Sequence, residues 1–336
     1  MEGVTVIVPV WNGRDLLAQL LASLRAQTCR PAEILAIDNG STDGAAEFAE
    51  RHGARVIRLS ANLGFSKAVN RGIRESRTEW LAIVNTDVAL EPNWIEALRD
   101  AACHEDHPDH DERAAWFATG KLLNSSRRDV IDGTYDTICR GACAWRAGHG
   151  RRDGPEFSRK CSIDFAPLTA ALFRAELFRR VGFLDEEFGS YLEDVDLGMR
   201  CASAGCSGVY VPEAIAYHRG SASLGKWHPE IVGRISRNQV LLVAKHYPPQ
   251  LIWRFGWSIL VAQGLWGVVA IRHGAGWAFL RGKVDGLRMF RAIRGCSSGT
   301  REILQRSERE IRGIQEIAGF DLYWKLYFFL TAGGAL

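Results

Sequence analysis

The sequence predicts an α/β fold, a mostly parallel sheet flanked by helices with a helical extension at its C-terminal end. Three observations carry that prediction. Apolar runs and helical stripes alternate through the first hundred residues, as the crossover connections of a parallel sheet require. The runs at Val4–Val10 and Trp80–Val84 are continuous rather than alternating, the pattern of strands buried on both faces. Polar turn clusters stand at the carboxyl ends of these runs, where open α/β sheets bind their ligands.

Val4–Val10 is the first expected strand, and leucines at 16, 17, 20, 21 and 24 put a helical stripe on Asp15–Gln27. Glu33–Ile37 is the second strand, Ala45–His52 the second helix and Arg55–Leu59 the third strand. A helix over Ser66–Ser76 and a strand at Trp80–Val84 follow, then a helix from Pro92, a residue suited to the first helical position. Between Ala102 and Lys160 the periodicity weakens. The tract from His104 to Glu112 mixes His with acids, but Pro108 interrupts it and it reads as a solvated loop. Gly141–Phe157, rich in Gly and Arg, reads as a mobile loop over the crevice at the strand ends. Leu168–Arg180 reads as an apolar helix, and Gly208–Val211 as a strand ending in a turn at Pro212. The domains drawn this way are residues 1–224 and a helical region, 225–336.

Composition sets outer bounds. The chain has 336 residues, 47% hydrophobic and 24% charged, which excludes disordered, collagen-like and coiled-coil classes. The net charge of +3 is uneven, since twelve Lys/Arg stand against six Asp/Glu between Leu251 and Leu336. A mildly acidic body with a basic tail argues against nucleic acid as a partner and points the tail toward an anionic surface. The eight cysteines include no C-x-x-C pair, so neither a zinc site nor a disulfide framework is expected. No basic segment followed by a long apolar core opens the chain, and a cytoplasmic location is expected.

The candidate chemistry lies at the strand ends. Trp11-Asn12-Gly13, Asp38-Asn39-Gly40-Ser41, Asn62-Leu63-Gly64 and Asn85-Thr86-Asp87 would converge on one polar crevice. Each alone is also a good turn sequence. Asp38 and Asp87, however, abut buried apolar runs. The segment Tyr191-Leu-Glu193-Asp194-Val-Asp196-Leu-Gly-Met-Arg200 packs three acids into four positions, as the first turn of a helix favours. His218 follows a predicted strand. There is no Gly-x-Gly-x-x-Gly after a strand and no P-loop lysine, which disfavours dinucleotide and ATP chemistry.

Taken together, TVIVPVWNG, EILAIDNGSTDG, NLGFSKAVNRG, WLAIVNTDVAL, VGFLDEEFGSYLEDVDLGMRCASAG and AIAYHRGSAS resemble an inverting family-2 glycosyltransferase of the GT-A fold, in the family's order over most of residues 3–224. The resemblance implies a GT-A catalytic domain, a nucleotide-sugar donor, a divalent metal (Mg2+ or Mn2+) and transfer to a hydroxyl with inversion. It implies that Asp38 hydrogen-bonds the base, that Pro9, Trp11 and Asn12 line base and ribose, and that Asn62, Gly64 and Asn70 shape the nucleotide pocket. Asn85-Thr86-Asp87 takes the place of the family's D-x-D motif, with Asp87 and His218 as metal ligands and Asn85 standing where the first acid would be. Asp194, beside Glu193, becomes the catalytic base, with Asp196 and Arg200 in the same motif. The N-T-D form and the F-x-x-Y-x-E-D-x-D-L pattern are most similar to rhamnosyltransferases, which implies a thymidine-diphosphate rhamnose donor and a saccharide or polyprenyl-linked acceptor in surface-polysaccharide synthesis. Beside this stand a uridine- or guanosine-diphosphate sugar as donor, and a non-catalytic sugar-nucleotide-binding scaffold suggested by Asn85.

The tail leaves two readings open. Phe255–Ile271 is seventeen uncharged residues long, about 25 Å as a helix at ~1.5 Å per residue, short of the ~30 Å hydrocarbon core. Arg272, Arg281, Lys283, Arg288, Arg291 and Arg294 follow, with Asp285 the one acid among them. Tryptophans beside a basic run suit a segment lying on anionic lipid at the inner face of the cell membrane. A helical subdomain packed on the catalytic domain or on a second subunit fits equally well.

Overall fold

The Val4–Val10 run becomes the centre of a sheet because nothing in it needs water: six of its seven residues are buried. The structure is a computed structural model, and it describes residues 3–103, 115–220 and 227–332. The chain divides into two compact units, residues 1–135 with 148–223, and residues 136–147 with 224–336.

In the first unit strands and helices alternate as β1 (Val4–Val10), α1 (Arg14–Arg25), β2 (Glu33–Asp38), α2 (Ala45–Arg51), β3 (Arg55–Arg58), α3 (Phe65–Glu75) and β4 (Trp80–Val84). The strands β3, β2, β1 and β4 lie side by side and parallel, each joined by a helix to the next in sequence. The α1 stripe of Leu17, Leu20, Leu21 and Leu24 is buried against them. A short strand β5 (Val88–Leu90) precedes α4 (Trp94–Cys103). The helix expected from Pro92 thus begins two residues later.

The sheet is then extended by strands of mixed direction. These are β6 (Phe117–Asn124) and β7 (Ile131–Gly133) and, after a hairpin β8 (Asp136–Ile138) and β9 (Ala144–Arg146), β10 (Cys161–Ile163) and β11 (Ala170–Arg174). Helices α5 (Ala175–Val181) and α6 (Glu193–Ser203) lead to β12 (Gly208–His218). The main path runs β10-β12-β6-β11-β4-β1-β2-β3, with β5 on β12 and β7 on β6. The apolar helix expected over Leu168–Arg180 is therefore a strand followed by a helix. Ala170–Phe173 fills the gap between β4 and β6, antiparallel to both, and pairing on both sides outweighs the helical propensity of its Ala and Leu.

Two further expectations are corrected. Gly141–Phe157 is ordered rather than a mobile loop: it contains β9, and Ala142, Ala147 and Phe157 are buried. The strand expected to end at Pro212 continues to His218 through a bulge between Val211 and Ile215. The bulge carries Ala214 so close to Gly120 that a side chain there would collide with its carbonyl oxygen. The His104–Glu112 tract lies outside the described residues.

The second unit holds the hairpin β8–β9 with α7 (Pro229–His246), α8 (Pro249–Arg254), α9 (Gly256–Arg272), α10 (Gly276–Met289), α11 (Thr300–Ala318) and α12 (Leu322–Thr331). The sequence-drawn boundary at 224 leaves the hairpin with the first domain, whereas it belongs with the helices. Its anchor is Arg140 in the hairpin turn, whose Nε and Nη2 donate to Glu308 Oε1 on α11 at 2.9 and 2.7 Å. Glu308 Oε2 accepts from the Arg140 backbone N–H at 2.7 Å and from Tyr327 Oη at 2.8 Å. Among the described residues no helix is long and apolar enough to cross a membrane.

Candidate active site

Three polar clusters meet at the carboxyl edge of the parallel strands. Val10 of β1 is level with Asp38 of β2, and Ile7 of β1 is level with Ile83 of β4, a strand that ends at Val84 just before Asn85 and Thr86. The chain leaves β1 through Trp11 and Asn12, the latter left-handed at φ 58°, which asparagine tolerates. Asn12 N–H donates to Ser41 Oγ, and Asn12 Oδ1 accepts from Thr42 N–H, both at 2.9 Å. Asp38 is buried and accepts from Ser41 N–H at 3.0 Å. Asn39, which sequence reasoning passed over as a turn former, clamps the next cluster. Its Nδ2 donates to Asn62 Oδ1 at 3.0 Å and to Gly64 O at 3.2 Å, while its Oδ1 accepts from Leu63 N–H at 2.8 Å.

The segment carrying the acids is tied to the same edge. Ser66, at the start of α3, donates from N–H and Oγ to Gly189 O at 2.9 and 3.1 Å. Asn70 is buried, with Nδ2 donating to Leu184 O at 2.9 Å and Oδ1 accepting from Leu184 N–H at 2.9 Å. Its amide braces residues 184–190 and faces protein on both ends. That segment finishes in two consecutive left-handed residues, Tyr191 at φ 70° and Leu192 at φ 65°, a strain of order 1–3 kcal/mol each. They swing the chain into α6 with Glu193 and Asp194 in its first turn, where the helix N-terminus favours the charged carboxylate. Asp196 and Arg200, expected at the site, are turned to each other. Asp196 Oδ2 accepts from Arg200 Nε and Nη2 at 3.0 and 2.9 Å, and Arg200 Nη1 donates to Val181 O at 2.6 Å. They brace α6 against the end of α5. Trp11, Leu63 and Tyr191 stay 38–44% exposed, an apolar rim such as a planar base or a sugar face would cover.

At the end of β4, Asp87 meets His218 from the end of β12. His218 Nε2 lies 3.3 Å from Asp87 Oδ2, and His218 Nδ1 lies 2.7 Å from Asp132 Oδ2 on β7. All three side chains are only 11–15% exposed. Burial by itself would depress the imidazole pKa, but the hydrogen bonds to Asp132 and Asp87 outweigh it and raise it to about 9. Asp132 is the site residue that sequence reasoning missed. Its one signal is a carboxylate flush against Val130-Ile131, the same arrangement that marks Asp38 and Asp87.

These residues fit a divalent cation. A cation would have to displace the Nε2 proton that the two carboxylates favour. Once it is gone, a carboxylate that holds Nδ1–H fixes the tautomer and leaves the Nε2 lone pair for a metal, the usual outer-sphere support of a histidine ligand. Asn85 Oδ1, two residues before Asp87, is buried with no hydrogen-bond partner among the described residues, a neutral oxygen in want of a donor or a cation. Among the described residues no group of three or more His, Cys, Asp or Glu is placed to hold a metal ion by itself. A partial set of this kind suits a hard cation that takes further oxygens from a diphosphate.

Residues 5–182 match the model of Glycosyl transferase family 2. The chain belongs to that family. Among relatives of this family-2 chain, the N-acetylglucosaminyl-diphospho-decaprenol L-rhamnosyltransferase of Mycobacterium tuberculosis is 31% identical over 249 residues, 66% of this chain and 77% of that protein. The crystal structure of GalNAc-T7 with UDP, GalNAc and Mn2+ aligns with a TM-score of 0.61 at 13% identity, over 93% of this chain and 58% of that one. The mannosyltransferase PcManGT of Pyrobaculum calidifontis, in complex with GDP-Man and Mn2+, aligns with a TM-score of 0.51 at 15% identity, over 99% of this chain and 88% of that one. At such identities the alignments speak for the fold, which is the GT-A fold expected from the sequence. The family-2 chain is thus a rhamnosyltransferase-like member by sequence.

Proposed function

We propose that this family-2 transferase moves L-rhamnose from thymidine-diphosphate rhamnose, with inversion, to a hydroxyl of a lipid-linked saccharide. The observation that carries the chemistry is the Asp87–His218 pair braced by Asp132. The choice of sugar and acceptor draws on the mycobacterial relative. A divalent cation, when bound, neutralises the charge that grows on the departing diphosphate.

The chain's own residues do the rest. Asp87, His218 Nε2 and Asn85 Oδ1 are the groups that would hold such an ion beside the diphosphate, and Asp132 keeps the imidazole in one orientation. Asp38 accepts from the base, while Pro9, Trp11, Asn12, Asn62 and Gly64 enclose base and ribose. Asn70 acts at one remove, by holding the segment that leads to Asp194. Asp194, in the first turn of α6, takes the proton of the acceptor hydroxyl. The acceptor oxygen then bonds the anomeric carbon as the bond from that carbon to the phosphate oxygen breaks, so one displacement gives inversion. An acceptor carried on lipid places the reaction at the cytoplasmic face of the membrane, with the protein held there peripherally.

Calorimetric titration with thymidine-diphosphate rhamnose, and with uridine- and guanosine-diphosphate sugars, each with and without Mn2+ or Mg2+, tests the reading. Metal-dependent binding of the thymidine donor alone is expected. A preference for another nucleotide overturns the sugar, and binding of none overturns the transferase.

A further inference from the structure

We infer that the helical unit docks in the plane of an anionic lipid surface through one face formed by α8, α9, α10 and α12. This deepens the peripheral placement proposed above and rests on it; it is independent of the donor. Helices of a folded unit hide their apolar stripes, yet α8 and α9 turn one outward. Trp257, Leu260, Val268 and Ile271 follow one another on α9 at intervals of three and eight residues, the latter spanning the exposed Gly264, so they fall on one side of that helix, and Trp253 stands exposed on α8 just before it. These five residues are 59–88% exposed, while the opposite side of α9, with Ser258, Ala262 and Ala270, is buried.

The neighbouring helices continue the face. Trp277, Leu280, Val284 and Leu287 form a second stripe on α10, 46–79% exposed. Leu322, Leu326 and Phe329 form a third on α12, 38–77% exposed. α9 lies between these two. Gly267 packs on Phe279 of α10, Trp257 Nε1 donates to Leu330 O at 2.8 Å, and Tyr323 Oη donates to Ala262 O at 2.9 Å. The three stripes therefore adjoin, forming an exposed apolar area of the kind that marks an interaction surface.

Charge selects the occupant. Arg281 and Arg288 border the α10 stripe with side chains 78% and 75% exposed. Arg254, Arg272 and Lys325 are exposed beside the other stripes. The one acid on α10, Asp285, is neutralised by Arg288 at 3.0 Å. A second copy would present the same basic border to itself across a two-fold axis. Anionic headgroups complement that border, and the tryptophans and leucines between the cations enter the acyl boundary. α9, at 17 residues, covers about 25 Å, which suits lying in the interface rather than crossing it.

The test is co-sedimentation of the full chain with vesicles of phosphatidylcholine containing about one third phosphatidylglycerol, and with phosphatidylcholine alone. The wild type should bind the anionic vesicles the more tightly. Trp253→Ser with Trp277→Ser should weaken that binding by roughly tenfold or more. Arg281→Glu with Arg288→Glu should abolish the preference for anionic lipid. Both double variants should bind the nucleotide donor as the wild type does. Failure of the wild type to bind any vesicle overturns the inference and the peripheral placement together, and leaves the transferase reading intact. Tryptophan variants that bind like the wild type overturn this face alone. A wild-type dimer that the tryptophan variants convert to monomer overturns it in favour of a second copy.

Discussion

Replacing Asp132 by alanine should weaken divalent-metal binding without touching a metal ligand. Asp132 Oδ2 is 2.7 Å from His218 Nδ1, and both side chains are nearly buried, so no water takes over the contact at low cost. Without it the imidazole loses both its tautomer and its orientation relative to Asp87, 3.3 Å from Nε2. Loss of such a support costs roughly 10- to 100-fold in metal affinity, or about 1.4–2.7 kcal/mol. Asp132→Asn should lose less, because its amide oxygen can still accept from Nδ1–H. Calorimetric titration of Mn2+ into the nucleotide-loaded protein reads the affinity directly, with no need for turnover. Equal Mn2+ affinity in Asp132→Ala and the wild type, while Asp87→Ala loses it, would refute the reasoning.

Asp194→Asn should abolish sugar transfer and leave donor binding within about twofold, since the amide cannot take up a proton; retained turnover removes Asp194 from the role. Glu308→Ala should cost about 3–5 kcal/mol in denaturant unfolding, because it leaves the Arg140 guanidinium, 8% exposed, and Tyr327 Oη without their partner; a loss below about 1 kcal/mol contradicts this. Burial outweighs the influence of Cys143 and pulls the Lys283 ammonium down to about 8 from its usual 10.5. Between those pH values the unfolded chain binds the extra proton, so this residue's contribution to stability rises with pH, by about 3 kcal/mol in all. The wild-type stability measured against Lys283→Met should climb over that window, and a flat difference rules the effect out.

What the sequence disclosed depended on how far each residue's neighbours lay along the chain. Asp38 and Asp87 were legible because each caps a long apolar run, and a parallel sheet aligns the ends of such runs. Glu193 and Asp194 were legible because three acids in one turn have an obvious place at a helix start. Asp132 was not, since its strand is three residues long and too short to show a period. β11 hid inside a helix-like run, and only its two sheet neighbours make it a strand. Asp196 and Arg200 share a motif with Asp194, and their four-residue spacing already allows them to pair along one helix. The uncharged stretch over α9 was plain in the sequence. Which of its sides stayed uncovered was decided by α10 and α12, which no local pattern specifies.

The hairpin 136–147 bears on how this protein can be divided. Because the chain leaves the first unit at 135, returns at 148 and leaves again after 223, the second unit is not a contiguous cassette. A gene fragment ending at 224 would encode the hairpin without α11, leaving Arg140 and the buried Cys139 and Ala142 with no helix to receive them. Exchange of the helical unit between relatives would have to carry these twelve residues along with it. Recombination at the apparent boundary alone would yield a chain that carries an unmatched buried charge.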